Sequence, residues 1–168
     1  MISIGIDNGL IGSIVAIDKN NDIVNKYTMP IIKGKGSRKE YDIPAIIAIF
    51  KTIIEYSNMV NDNIIVILEK AQVSPIAGKN SCFMMGYCFG MMQGILSSLN
   101  MPFKIVHAKT WQKEVLRDIN GTDTKQRSIL FCKRMFPLEG WTVGKSKKEH
   151  DGLTDATCIA YFGQNTDR

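Results

Sequence analysis

Histidine is nearly absent: His107 and His150 are the only two, too few for a histidine-rich metal site. Cysteine is scarce as well, and Cys82, Cys88, Cys132 and Cys158 form no CxxC pair. Three of them lie in apolar stretches of helical character, so they read as reduced core residues and not as a disulfide frame or a zinc site. No uninterrupted apolar run approaches the ~18 residues of a membrane span, and the opening residues form a strand-like run without a signal-peptide pattern. The expectation is a soluble, intracellular protein, not secreted and with no membrane partner. Internal repeats and low-complexity linkers are also missing. At 168 residues and 45% hydrophobic content the sequence predicts one domain over 1–168 with a sizeable core.

Positive charge, by contrast, is unevenly supplied. The formal net charge is +5, yet from Lys104 to Lys148 there are eleven Lys and Arg against four acids, which leaves the rest slightly acidic. Such asymmetry points toward a polyanion. Ordinary surface charge produces similar totals, so composition alone does not decide the partner.

Along the chain, Ile2 to Asp7 alternates apolar with small residues, Asn8-Gly9 supplies a turn, and strands are predicted over 12–18 and 23–29, giving an antiparallel meander. The segment Lys33 to Lys39, with four cations and two glycines, reads as a basic loop. Helical spacing follows from Ile43 to Tyr56, with Pro44 in the first turn. The apolar run from Asn63 to Leu68 reads as a buried strand ended by Glu69.

A loop holding Pro75 and Gly78 precedes a helix predicted over Ser81 to Leu99, in which Gly86, Gly90 and Gly94 recur every four residues. Close helix-to-sheet packing is the expected use of that face, with approach by another backbone or a nucleic acid the alternative. A strand over 103–106, helices over 111–117 and 124–135, a loop over 139–148 and a last helix over 151–162 complete the chain. The order fits an α/β fold, a mixed five-stranded sheet with the first strand central and helices on both faces.

Four carboxylates stand out in this frame. Asp7 and Glu69 end apolar strands, while Asp151 and Asp155 lie four apart on the last helix and share a face. Carboxylates gathered from distant segments repel one another, and hard divalent cations with oxygen ligands neutralise them best. The constellation reads as a metal-dependent phosphodiesterase.

The ordered segments resemble the RuvC-like Holliday junction resolvases of the ribonuclease H-like fold, in particular their phage or viral branch. Ile4-Gly5-Ile6-Asp7-Asn8-Gly9 is similar to the family's first-strand G-x-D-x-G, and Val66 to Lys70 to its second-motif glutamate. Ser81 to Gly86, with Gly90 and Gly94, resembles the glycine-spaced helix. Ala108 to Lys113 resembles the proline-x-x-tryptophan segment, with Ala108 in the proline's place. His150-Asp151-Gly152-Leu153-Thr154-Asp155-Ala156 looks like the closing H-D-G-x-x-D-A signature and is the most specific part of the match.

The resemblance implies a structure-selective endodeoxyribonuclease that resolves four-way junctions by paired symmetric nicks on opposing strands. It implies Asp7, Glu69, Asp151 and Asp155 as ligands of Mg²⁺, replaceable by Mn²⁺, with two ions per site, and Lys125 and Lys113 as catalytic cations. Phe83 is a candidate for stacking on exposed bases, against the alternative of a core position. Lys109, Arg117, Arg127, Lys133, Arg134, Lys145, Lys147 and Lys148 are candidate contacts to the DNA backbone. A homodimer is expected because a junction is cut on two strands, with the glycine-rich helix as the candidate interface. Rival readings keep the fold but act on flaps, forks or RNA-containing hybrids, or abandon catalysis for binding of DNA structure. A sugar-kinase or actin-like fold, which also opens with an Asp-x-Gly hairpin, needs a longer, duplicated chain.

Overall fold

The alternation of side chains along the first strand explains where the site lies. In the computed structural model, which describes residues 1–34, 39–72 and 78–165, β1 (Ile2–Asp7) sends Ile2, Ile4 and Ile6 into one apolar cluster. Its odd-numbered residues Ser3, Gly5 and Asp7 therefore face the other side of the sheet. Strand β6 (Ile64–Glu69) runs parallel to β1, with Ile6 opposite Leu68. The same alternation buries Val66 and Leu68 with the first cluster and turns Ile67 and Glu69 toward the second. Asp7 and Glu69 thus finish neighbouring parallel strands on one face and at one end.

Strands β2 (Ser13–Ile17) and β3 (Ile23–Thr28) complete an antiparallel meander with β1, and β7 (Phe103–Val106) adds in parallel beyond β6. The sheet order β3-β2-β1-β6-β7 is the predicted mixed five-stranded sheet with β1 central. Helices α1 (Ile43–Val60) and α2 (Lys79–Ser98) contribute buried side chains to the first cluster, while α3 (Ala108–Val115), α4 (Thr124–Met135) and α5 (Asp151–Asn165) contribute to the second. Helix α1 is apolar and long enough by length and composition to cross a membrane. It sits here as a core helix, with Ile46, Phe50 and Ile53 fully buried.

Several expectations change. The stretch read as a basic loop is flanked by a small antiparallel hairpin of β4 (Ile31–Lys33) and β5 (Lys39–Tyr41). Residues 35–38 between them lie outside the described residues, as do 73–77 with Pro75. Gly86, Gly90 and Gly94 do not pack on the sheet: a Cβ at any of them would meet nothing within 4 Å among the described residues. Buried α2 residues Cys88, Met92, Ile95 and Leu96 line the opposite side of that helix. Cys88, Cys132 and Cys158 are buried free thiols as expected, whereas Cys82 is only half-buried.

Close approach of α5 to the sheet depends on glycine. A Cβ on Gly5 would stand 2.1 Å from the Ala156 carbonyl oxygen and 2.3 Å from the Ala160 nitrogen. One on Gly152 would stand 2.3 Å from the Ile11 carbonyl oxygen in the turn after β1. At the far end of α5, the Gln164 amide donates to the Met1 carbonyl at 2.8 Å. The helix is thereby held along its length against the strand that carries Asp7.

Candidate active site

Helix α5 begins where β1 and β6 end, so its first two turns bring Asp151 and Asp155 to Asp7 and Glu69. All four residues are half-buried. The His150 imidazole Nδ1 accepts the Leu153 backbone N–H at 3.2 Å, which caps the helix and engages that nitrogen away from the carboxylates. Lys125, at the start of α4, reaches across to Asp151 with Nζ–Oδ2 at 2.8 Å.

The four acids sense one another. Burial pushes the Asp7 carboxyl well above the usual carboxylate range, and the charges of Glu69, Asp155 and Asp151 push the same way while Lys125 opposes them. Burial, aided by Asp155, raises Glu69 to about 7. Burial also raises Asp155 to about 6, with Asp151 adding to the effect. Lys125 is raised by its hydrogen bond to Asp151 and by that residue's charge. The site therefore holds more negative charge than one lysine offsets.

Polar neighbours from three elements frame the carboxylates. The Trp111 indole N–H, from α3, lies near enough to Glu69 to lower its pKa. Ser128, from α4, does the same for Asp155. Neither forms a hydrogen bond of regular geometry: Trp111 Nε1, Ser128 Oγ and Asp155 Oδ1 are all buried without a partner among the described residues. These groups tune the acids electrostatically without satisfying them. Asn8, next to Asp7, donates its side-chain amide to the Glu69 carbonyl oxygen. The Cys88 thiol of α2 lies 4.0 Å from Asn8 Oδ1. Asn8 thus ties the two carboxylate-bearing strand ends together beyond the last rung of the β1–β6 ladder. The sequence offers it only as a turn residue, and its amide bond appears only once β6 lies alongside.

The donors suit a hard divalent cation. They are oxygen ligands carrying excess negative charge, and one of them, Asp155 Oδ1, is a buried acceptor without a donor. Among the described residues no three His, Cys, Asp or Glu side chains stand close enough to make a ready-formed metal cage. The acids are assembled in one place but not closed on one point.

The remaining predicted residues distribute differently. Lys113 stands exposed on α3, and the cation that acts on the carboxylates is Lys125. Phe83 is 70% exposed on α2, which excludes the core alternative. Lys109, Arg117, Arg134, Lys145, Lys147 and Lys148 are exposed on α3, α4 and the connections that flank them. Lys133 is paired with Glu149. Arg127, read as a phosphate contact, is engaged within the fold: its Nε donates to the Ile119 carbonyl at 2.9 Å and a terminal nitrogen donates to Leu116 O. Those bonds tie α4 to the turn after α3, whose Leu116 carbonyl also accepts the Ile119 N–H at 3.3 Å, so the guanidinium serves the fold.

No family model matches the chain, and no curated protein matches it. Solved structures do. Thermus thermophilus RuvC in complex with a Holliday junction substrate superposes with a TM-score of 0.61 at 13% identity, over 96% of this chain and 91% of that one. Another structure of Thermus thermophilus RuvC gives 0.55 at 16% identity, over 96% and 92%. The yeast mitochondrial Holliday junction resolvase gives 0.52 at 15% identity, over 96% and 77%. The chain has the ribonuclease H-like α/β fold, in the form these resolvases share.

Proposed function

We propose that the protein is a divalent-metal-dependent endodeoxyribonuclease that resolves four-way DNA junctions by paired nicks on opposing strands. The observation that carries this reading is the cluster of four mutually repelling carboxylates at the meeting of β1, β6 and α5. A phosphate-binding surface without catalysis has no use for such a concentration of negative charge. Structural neighbours that include a RuvC with a bound Holliday junction and a yeast mitochondrial Holliday junction resolvase support the substrate class.

Asp7, Glu69, Asp151 and Asp155 would hold Mg²⁺ or Mn²⁺, two ions per site, with side-chain adjustment closing the cage. Ions bound there would supply an activated water and neutralise the oxygens of the scissile phosphate. Asp7 and Glu69 hold their positions because the strand ladder and the Asn8 amide fix both strand ends. Asp151 is oriented by Lys125, whose ammonium stands where it can offset charge on the reacting phosphate. Lys113, farther along α3, fits phosphate contact better than a role among the acids. The exposed cations of α3, α4 and the Lys145–Lys148 turn would follow the DNA backbone, with affinity falling steeply as salt rises.

Two cuts require two sites, so the active form is proposed as a homodimer. The exposed glycine face of α2 supports that helix as the contact, since nothing among the described residues covers it. The test is nicking of a labelled, immobile four-way junction in Mg²⁺ beside a linear duplex, a flap, a fork and an RNA–DNA hybrid. Symmetric paired nicks in the junction, lost in Asp7→Asn while junction binding survives, are the expected result. Cleavage confined to another substrate replaces the junction with that substrate, and binding without cleavage in any metal overturns the catalytic reading.

A further inference from the structure

Trp111 belongs to the segment that resembles the proline-x-x-tryptophan motif, and packing alone does not account for it. Its side chain is 1% exposed in the core around Ile67, yet Nε1 has no hydrogen-bond partner among the described residues. An apolar ring would fill such a position without burying an idle donor. Buried polar groups are rarely left unpaired, because losing water without gaining a partner costs stability. The polar group this indole N–H lies beside is the Glu69 carboxyl.

Two idle hydroxyls repeat the pattern. Ser128 of α4 is fully buried beside Asp155 with Oγ unpartnered. Its other polar neighbour is the Cys158 thiol, a weak partner. Ser13, at the start of β2, is fully buried with Oγ unpartnered and is the ladder partner of Asp7. Directly opposed residues of an antiparallel pair project from one face with Cβ atoms about 5 Å apart. Val15 and Ile17, in step with Ser13, put that face on the α5 side. Asp7, Glu69 and Asp155 thus each have one buried donor at hand, from β2, α3 and α4. Asp151 already holds its own, the Lys125 ammonium.

We propose that Trp111, Ser128 and Ser13 are positioning residues that donate to the free carboxylate oxygens of Glu69, Asp155 and Asp7 when a divalent cation is held. A carboxylate that binds a cation through one oxygen leaves the other to accept, and a fixed donor there sets the direction in which the ligand points. Among the described residues the acids are not closed on one point. Each must turn to reach a shared cation, and that turn can bring its second oxygen to the waiting donor. The proposal rests on the metal-site reading and adds to it the groups that orient the ligands. Trp111 acts through Glu69 and touches neither cation nor phosphate.

The experiment follows the two indole N–H resonances of the isotope-labelled full chain by NMR as Mg²⁺ is added without DNA. Trp111→Phe identifies the Trp111 signal, and Trp141 serves as the internal control. The Trp111 proton is expected to move downfield and to saturate with the metal while that of Trp141 holds still. Ser128→Ala and Ser13→Ala, which remove idle hydroxyls, are expected to melt no lower than wild type without metal. Each should need about tenfold more Mg²⁺ for the same rise in melting temperature. A Trp111 resonance unmoved at Mg²⁺ saturation overturns the proposal, and so does a Mg²⁺ requirement unchanged in both serine variants. Calorimetry on wild type separates the two levels of failure. Binding of Mg²⁺ without an indole response overturns the positioning role alone, whereas binding of neither Mg²⁺ nor Mn²⁺ overturns the metal site and the proposal with it.

Discussion

Glycine serves opposite purposes on the two faces of this sheet. At Gly5 and Gly152 the missing side chain lets α5 and the turn after β1 approach to distances that no other residue permits. At Gly86, Gly90 and Gly94 it leaves a bare helical face with no neighbour among the described residues. The first face fixes the carboxylates, and the second is free to meet something outside the monomer. One residue type thus marks both a tightly packed face and a bare one.

The sharpest way to break this contrast is Gly5→Ala. The added methyl group would overlap the α5 backbone, and lifting the helix is expected to cost about 3 kcal/mol or more in urea denaturation. Nicking should fall with it, because α5 carries Asp151 and Asp155. A variant as stable as wild type would show that the packed face is not tight.

Next in size is the response to pH without metal. Glu69 and Asp155 are raised in the folded protein, so that state binds more protons than the unfolded chain between the ordinary carboxylate range near 4 and about 7. Stability is therefore expected to fall as pH rises through this window, by at most about 3 kcal/mol for each of the two groups. Calorimetric melts at pH 5 and pH 8 should show the loss, Mg²⁺ should reduce it, and Asp7→Asn should raise the pH 8 melting temperature. A flat metal-free profile would mean that the acids are not held together.

Loss of the strand-end tie should act more locally. Asn8→Ala is expected to raise the Mg²⁺ concentration needed for half-maximal nicking about tenfold, as loss of a residue supporting a metal ligand does elsewhere. The Mg²⁺-induced rise in melting temperature should shrink in parallel, and equal metal dependence in both proteins would remove Asn8 from the site's support. The smallest effect belongs to the open face. Gly90→Ala should stabilise the monomer by no more than about 1 kcal/mol, through helix propensity. Gly90→Leu should leave the monomer folded yet weaken self-association in sedimentation equilibrium, and unimpaired association would place the dimer contact elsewhere.

The strands and the four acids were legible because local pattern specifies them. Alternation in Ile2–Asp7 marks a strand and also assigns Asp7 to the α5 face, while the spacing of Asp151 and Asp155 places both on one side of a helix. The β4–β5 hairpin escaped because two three-residue strands surrounded by lysine and glycine carry almost no periodic signal. Arg127 and Asn8 escaped for another reason. Their side chains bond backbone carbonyls of segments 8 to 61 residues away, and such partners exist only after the chain has packed. The α2 glycines were misjudged because a bare helical stripe looks the same whether a sheet or solvent lies against it.

Under the proposed function, the Lys145–Lys148 turn bears on how fast DNA would be captured. Its root is riveted: Lys26 of β3 holds Glu139 at 2.6 Å and the Gly140 carbonyl at 2.8 Å and lies over the Trp141 ring, while the His150 N–H closes the base on the Trp141 carbonyl at 2.7 Å. Ser146 closes the tip, its hydroxyl donating to the Lys148 carbonyl. The three lysines therefore ride on a stiff finger, and seating it on a phosphate chain forfeits little backbone freedom. Under the proposed function its charge would work as a standing electrostatic guide from first encounter, and capture should slow as salt shortens the reach of that field.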